Sequence, residues 1–124
     1  MATILIVEDS PDNMKLFRTL LTLHGHDVIG QGSGDGLIQQ IRDARPDLVL
    51  MDIQLPGMNG IQALHVLREN PDLATIPVIA VTASVMHEDR KQIMAAGFDA
   101  YCGKPLNLKE FLETVKQTLE RGRA

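Results

Sequence analysis

The chain has 124 residues, 44% of them hydrophobic, which predicts one compact domain with a continuous core. Aromatic residues make up 3% and tryptophan is absent, so a platform for stacking nucleic-acid bases is not expected. The net charge of −4 argues against non-specific binding to nucleic acid. The single cysteine, Cys102, is interpreted as a small core residue in a reducing compartment.

Short β-branched runs alternate with longer helical patterns from the start of the chain. Residues 3–8 form an apolar run without polar alternation, which is typical of a strand covered on both faces. Ser10 and Pro11 then have the residue types of an N-cap and a first helical position, and Gly25 ends this helix. A weaker strand is predicted at 26–31.

The middle of the chain repeats this alternation. A second helix is predicted to start within 33–36 and to stop at Arg45-Pro46, and the third strand follows at 47–52. Residues 56–60 have turn chemistry, and the helix after them ends at 70–72.

The last part of the chain predicts two more strand–helix units. The strands are expected at 76–82 and 98–102, and the helices at 86–96 and 107–119. The tail at 120–124 is expected to fray.

Five strand–helix units in strict alternation predict the α/β class. The expected fold is a five-stranded parallel sheet flanked by five helices, doubly wound, with ligands at the carboxyl ends of the strands. One domain over 1–124 is expected, with no output domain, because only a few residues follow the last helix. No run is long enough to cross a bilayer and no leader pattern is present, so a cytoplasmic protein is expected.

Five polar residues stand at the ends of the apolar runs: Glu8, Asp9, Asp52, Thr82 and Lys104. In a parallel sheet these ends meet at one edge, so three carboxylates, a hydroxyl and an ammonium are expected to share one cavity. Carboxylates held close together need a cation, and Mg²⁺ prefers oxygen ligands and keeps several waters. The sequence therefore predicts a Mg²⁺ site.

Asp52 follows four apolar residues and is the candidate nucleophile, whose carboxylate would form an acyl phosphate. Lys104 would pair with phosphoryl oxygens, and the bond to Pro105, which can be cis, would hold it over the site. The Thr82 hydroxyl could donate to a phosphoryl oxygen once that group is present.

Four segments together carry a resemblance that covers the whole chain. They are Ile6-Val7-Glu8-Asp9, Met51-Asp52-Ile53-Gln54-Leu55-Pro56-Gly57-Met58-Asn59-Gly60, Val81-Thr82-Ala83 and Tyr101-Cys102-Gly103-Lys104-Pro105. In order and spacing the chain resembles the CheY-like receiver domain of two-component response regulators, whose fold is flavodoxin-like. Its start and end are also similar to the DivK-type single-domain regulators, which act in cell-cycle and polarity signalling.

The resemblance implies a role for each matching residue. Asp52 would accept phosphate from the phosphohistidine of a sensor kinase or a histidine phosphotransfer protein. The implied ligands of Mg²⁺ are Glu8, Asp9, Asp52 and the backbone carbonyl of Gln54. The implied phosphoryl-binding and switch residues are Thr82, Ala83, Lys104 and Tyr101.

The same resemblance implies signalling through phosphorylation-dependent binding to a downstream protein. The chain is expected to be a monomer, with a phosphorylation-dependent dimer as an alternative, and to have at most slow self-catalysed phosphorylation and dephosphorylation. The candidate contacts for a partner helix are Met14, Phe17, Pro105 and Leu106.

Three other interpretations stay open at this point. An aspartyl-phosphate phosphotransferase using Mg²⁺ would generally carry a second acid two residues after the nucleophile, where this chain has Gln54. A flavodoxin-like cofactor carrier would need a Ser/Thr/Gly-rich loop after the first strand, where this chain has acidic residues. A phosphate-independent scaffold is disfavoured by the intact set of five polar residues.

Overall fold

The computed structural model describes residues 2–32, 36–55, 58–82, 87–103 and 107–121, with the backbone alone at 54–55, 58–59 and 87–90. Within these residues, strands and helices alternate in the order predicted, with one short hairpin added. The strands are β1 Thr3–Val7, β2 Asp27–Gln31, β3 Leu48–Asp52, β4 Gln54–Leu55, β5 Met58–Asn59, β6 Val78–Thr82 and β7 Ala100–Gly103. The helices are α1 Pro11–Leu23, α2 Leu37–Ala44, α3 Gly60–Glu69, α4 His87–Ala96 and α5 Leu108–Arg121.

Five of the strands form one parallel sheet in the order β2-β1-β3-β6-β7. Core side chains of α2, α3 and α4 pack on one face of this sheet, and those of α1 and α5 pack on the other. The predicted doubly wound α/β fold is therefore confirmed. Strand order reverses between β1 and β3, because β1 pairs with β2 on one side and with β3 on the other. Ligands bind outside the carboxyl ends of the strands at such a switch point.

The central strands are buried on both faces, which explains their unbroken apolar runs. Every residue of β3 and β6 is buried, as are Ile4 to Val7 of β1. Because both faces are covered by helices, polar alternation would place unsatisfied groups in the core. A polar residue can therefore stand only where such a strand ends, as Asp52 and Thr82 do.

Helix caps also agree with the sequence. The Ser10 hydroxyl accepts the backbone N–H of Asn13 at 3.4 Å, and Pro11 is the first residue of α1. At the start of α5, Asn107 accepts the N–H of Glu110 at 3.1 Å. These caps begin α1 and α5 close to the carboxyl ends of β1 and β7. Gly25 follows α1 with a φ of +85°, in the left-handed region that favours glycine.

The structure differs from the sequence prediction at several boundaries. The third strand starts at Leu48 instead of residue 47, and the Asp47 carboxylate accepts the Thr3 N–H at 2.9 Å. Phe98 precedes β7 and packs into the core instead of starting the strand. Part of the segment predicted as a turn forms the antiparallel pair β4–β5.

None of the helices in the described part of the chain combines the length and the apolar character that crossing a bilayer requires.

Candidate functional site

Three carboxylates converge at the carboxyl edge of the sheet, where β1 and β3 lie side by side. Glu8 and Asp9 directly follow β1, and Asp52 is the last residue of β3. The pairing of Val7 with Met51 puts these positions level with one another. Carboxylate oxygens of the three residues lie within 4.8 Å of one another. The predicted convergence of acids from two strands is thus present in the structure.

Burial differs among the three acids. Glu8 is 2% exposed and Asp52 is 5% exposed, whereas Asp9 is exposed to solvent. The Glu8 carboxylate accepts the backbone N–H of Ser10 at 3.2 Å, which ties the loop between β1 and α1 to the site. The cluster therefore has an inner wall formed by Glu8 and Asp52 and a solvent side formed by Asp9.

The chemistry of this donor set fits a hard divalent cation. All three ligating groups offer oxygen, and three like charges so close together repel one another in a region that is partly shielded from water. Mg²⁺ is bound through one or two carboxylates together with waters and phosphate oxygens. The exposed side of Asp9 leaves room for such waters. The residues present therefore fit the predicted Mg²⁺.

The proposed backbone ligand Gln54 lies two residues after Asp52 in β4, where it pairs with Asn59 of β5. Between them, Ile53 donates its N–H to the carbonyl of Val81 at 3.1 Å and accepts the N–H of Gly60 at 2.8 Å. The segment from Asp52 to Gln54 is thus held on one side by β6 and on the other by the start of α3.

Thr82 ends the strand next to β3. It is 5% exposed, and its strand pairs with β3 so that Val81 lies beside Asp52. Thr82 therefore lies one residue beyond the nucleophile candidate along the neighbouring strand. The role of its hydroxyl toward an incoming phosphoryl group stays a prediction.

Tyr101 lies in β7 beside Ala80, two residues before the position that pairs with Thr82. Its side chain is half-buried and packs against the core cluster on the α2, α3 and α4 face of the sheet. Ala80 belongs to the same cluster. Side chains two apart on a strand share a face, so Tyr101 and Thr82 stand on the same side of the sheet.

Four of the predicted residues lie outside the described residues. They are Ala83, Lys104, Pro105 and Leu106. Lys104 directly follows Gly103, the last residue of β7, whose partner across the strands is Thr82.

One predicted partner contact is wrong. Phe17 is 1% exposed and belongs to the core cluster under α1 and α5, where its ring stacks on Phe111 with centroids 5.4 Å apart. A partner helix could not reach so buried a side chain. Met14, one turn earlier, is half-buried at the edge of the same cluster and remains a prediction.

Cys102 agrees with its interpretation as a core residue. Burial raises the pKa of its thiol to about 11, so the side chain is neutral at physiological pH. A neutral, buried thiol is a poor nucleophile.

Sequence reasoning missed the position of Gly60. The sequence pattern assigns it to a turn, yet it is the buried first residue of α3 and lies against the backbone of Asp52. The Pro/Gly-rich composition of 56–60 indicates a tight turn and carries no signal of the contact between Gly60 and Asp52.

Comparisons with known proteins place these features in one family. The family described as response regulator receiver domain matches residues 4–116. The chain is 43% identical over 117 residues to the polar-differentiation response regulator DivK of Brucella anthropi, a match that covers 94% of this chain and 95% of that relative.

Two solved structures share the fold over nearly the whole chain. One is the signal receiver domain of a signal transduction histidine kinase from Syntrophus aciditrophicus, with 31% identity, a TM-score of 0.88, and 97% and 91% of the two chains covered. The other is the receiver domain of sensor histidine kinase PA1611 from Pseudomonas aeruginosa, with 28% identity, a TM-score of 0.87, and 96% and 98% covered. The latter has a magnesium ion coordinated in its active site cleft.

Proposed function

Because this chain belongs to the response regulator receiver domain family, we propose that Asp52 is the residue on which it receives a phosphoryl group. One observation carries the proposal. Asp52 ends a fully buried strand, and its carboxylate lies within 4.8 Å of the carboxylates of Glu8 and Asp9. A nucleophile beside a cation-binding cluster is what a transfer of phosphate between proteins requires.

The proposed reaction is a nucleophilic displacement at phosphorus. A carboxylate oxygen of Asp52 forms a bond to the phosphorus of a phosphohistidine, and the P–N bond breaks with its electron pair passing to the imidazole, which takes up a proton. Glu8, Asp9, Asp52 and the Gln54 carbonyl would hold Mg²⁺, which when bound supplies positive charge to the phosphoryl oxygens. The clamped backbone around Ile53 keeps Asp52 oriented during the transfer.

Three further residues are assigned to the phosphoryl group itself. Lys104 follows the end of β7 and would pair with a phosphoryl oxygen, and Thr82 would donate its hydroxyl to another. The backbone of Ala83, next to Thr82 in the chain, would contribute to the same pocket. Lys104→Ala is expected to weaken the response to phosphate more than it weakens Mg²⁺ binding.

Thr82 and Tyr101 form the proposed switch. Movement of Thr82 toward the phosphoryl group would vacate space on the face that Tyr101 shares, and Tyr101 would then turn further inward. The phosphate would thereby bias two existing packings of the α4, β7 and α5 surface. Thr82→Ala is expected to permit phosphorylation but to uncouple it from partner binding.

The phosphate donor, the downstream partner and the cellular location of this chain are also part of the proposed function. We place it as a single-domain regulator over 1–124 that receives phosphate from a histidine kinase or phosphotransfer protein and binds a downstream protein. The polar-differentiation role in the name of the Brucella relative supports a function in polarity and the cell cycle. The single buried thiol supports a reducing, cytoplasmic location. Catalysis would be limited to slow phosphorylation and dephosphorylation of its own Asp52.

The direct test is intact-protein mass after incubation with a small-molecule phosphodonor and then with a phosphohistidine protein, with and without Mg²⁺. One phosphoryl adduct that requires Mg²⁺ is expected for the parent chain and is expected to disappear in Asp52→Asn. Asp27→Asn is the matched control, because Asp27 is an exposed acid at the opposite edge of the sheet. Labelling retained in Asp52→Asn would assign the nucleophile to another residue.

A further inference from the structure

The first residue of α3 makes an unusually close contact with the backbone of the nucleophile candidate. A Cβ atom built on Gly60 would lie 2.6 Å from the carbonyl oxygen of Asp52 and 2.8 Å from the Cα of Ile53. Real Cβ atoms essentially never come within 3.0 Å of a non-bonded heavy atom from elsewhere in the chain. Both contacts are with backbone, which cannot rotate away as the end of a side chain can.

The same residue closes the loop that carries the proposed backbone ligand. The N–H of Gly60 donates to the carbonyl of Ile53 at 2.8 Å, and the neighbouring pair joins Gln54 with Asn59. On the other side, the N–H of Ile53 donates to the Val81 carbonyl at 3.1 Å. The peptide between Asp52 and Ile53 therefore lies between β6 and α3, and Gly60 forms the contact from α3.

We propose that Gly60 is a positioning residue: its missing side chain lets the start of α3 rest directly on the Asp52–Ile53 peptide and so sets the Asp52 carboxylate relative to the Gln54 carbonyl. This inference rests on the proposed function, because it concerns the two ligand groups assigned to Mg²⁺ on either side of Ile53. It goes beyond it by assigning a role to a residue that offers no ligand atom.

The physical consequence of a side chain at this position follows from the distances. With a Cβ at residue 60, either the start of α3 or the Asp52–Ile53 peptide must shift by several tenths of an ångström. Displacements of that size are large on the scale at which a metal or reaction site must be held. In an exposed helix, by contrast, a change from glycine to alanine is favourable to folding.

The test compares Gly60→Ala with the parent chain. Each protein is titrated with Mg²⁺ and followed by amide NMR spectra, which also show whether it is folded. We expect Mg²⁺ affinity to fall by about tenfold or more, the size of effect seen when groups that orient metal ligands are removed. Phosphorylation measured by intact mass should slow by a similar factor. Affinity and labelling equal to those of the parent chain would overturn the proposal.

Two glycines supply matched controls. A Cβ atom added at Gly32 would have no heavy atom within 4 Å, so Gly32→Ala should bind Mg²⁺ as the parent chain does. A Cβ at Gly30 would have contacts as short as 2.7 Å, but they are with the side-chain ends of Arg18 and Met14, which can move. Gly30→Ala should therefore leave Mg²⁺ affinity unchanged. A loss of Mg²⁺ affinity in Gly30→Ala as large as that in Gly60→Ala would overturn a role specific to Gly60.

A second measurement covers the case in which Gly60→Ala does not fold. In the parent chain, the amides of Gly60 and Ile53 should exchange slowly with solvent and more slowly still when Mg²⁺ is added. Exchange that is fast, or unchanged by Mg²⁺, would overturn the proposal. If the parent chain itself neither binds Mg²⁺ nor is labelled at Asp52, the proposed function fails. If parent and Gly60→Ala both bind Mg²⁺ and are labelled equally, only the role given to Gly60 fails.

Discussion

Arg68 on α3 and Asp99, just before β7, form an ion pair with 3.1 Å between guanidinium nitrogen and carboxylate oxygen. Both side chains are largely buried, at 14% and 11% exposed. Asp99 also accepts the N–H of Val78 at 2.8 Å, and Arg68 donates to the carbonyl of Ile76 at 2.7 Å. The pair thus joins α3 to the starts of β6 and β7, at the edge of the sheet opposite the carboxylate cluster.

Replacing Arg68 with methionine is expected to lower the free energy of unfolding by about 3 kcal/mol or more, because it leaves the buried Asp99 without its cation. Urea unfolding measures this. Arg42→Met is the matched control: Arg42 pairs with Asp72 at 2.9 Å, but those side chains are 37% and 42% exposed. That exposed pair is screened by solvent, so the control should scarcely move the urea midpoint. If the two variants lost equal free energy of unfolding, burial of the ion pair would not explain its contribution to stability.

Removing one carboxylate from the cluster of Glu8, Asp9 and Asp52 is expected to stabilise the metal-free protein. With oxygens within 4.8 Å of one another, the three charges repel, and Asp52→Asn should raise the free energy of unfolding in EDTA by about 1–2 kcal/mol. On the proposed function Mg²⁺ binds the native cluster and not the unfolded chain, so it should raise the melting temperature of the parent chain. The rise should be smaller in Asp52→Asn. Calorimetry with and without Mg²⁺ measures both effects. A lower melting temperature for Asp52→Asn than for the parent chain in EDTA would contradict repulsion among the three carboxylates.

Cys102 makes stability depend on pH in the alkaline range. Burial raises the pKa of its thiol from the ordinary 9.0 to about 11, so the native state holds the proton more tightly than the unfolded chain. Its contribution is fully present below pH 9 and is lost as pH rises from 9 through 11. The loss amounts to about 2–3 kcal/mol. Urea unfolding at a series of pH values measures it, with Cys102→Ala as the control because other groups also titrate there. Identical slopes for the two proteins would refute this assignment.

Substitutions at Phe17 and Met14 should have different effects, the first on stability and the second on partner recognition. Phe17→Leu leaves a gap where the ring stacks on Phe111 and should lower the free energy of unfolding by about 1–2 kcal/mol. Phosphotransfer from a phosphohistidine protein should be unchanged at a temperature where the variant is folded. Met14→Ala should slow that transfer instead. Slower transfer in folded Phe17→Leu, with no slowing in Met14→Ala, would reverse the roles given to the two residues.

The sequence was sufficient for the fold and for the identity of the acids. Strands covered on both faces admit no polar residue until they end, so the runs before Asp52 and Thr82 marked both the strands and their carboxyl ends. Strict alternation of strands and helices then required a parallel sheet, which put those ends at one edge. The cap at Ser10 was equally predictable, because it depends on residues that are neighbours in the chain.

Other features depend on contacts between distant parts of the chain, and only the tertiary structure decided them. Helical spacing is the same for a core residue and a partner contact, so the burial of Phe17 against Phe111 could not be inferred from it. Turn composition does not distinguish a glycine needed for the turn from one that touches Asp52, as Gly60 does. The sequence by itself therefore determined which acidic side chains meet at the carboxyl edge of the sheet. The distance between the start of α3 and the Asp52–Ile53 peptide depends on how two separate elements pack against each other. Only the tertiary structure therefore decided it.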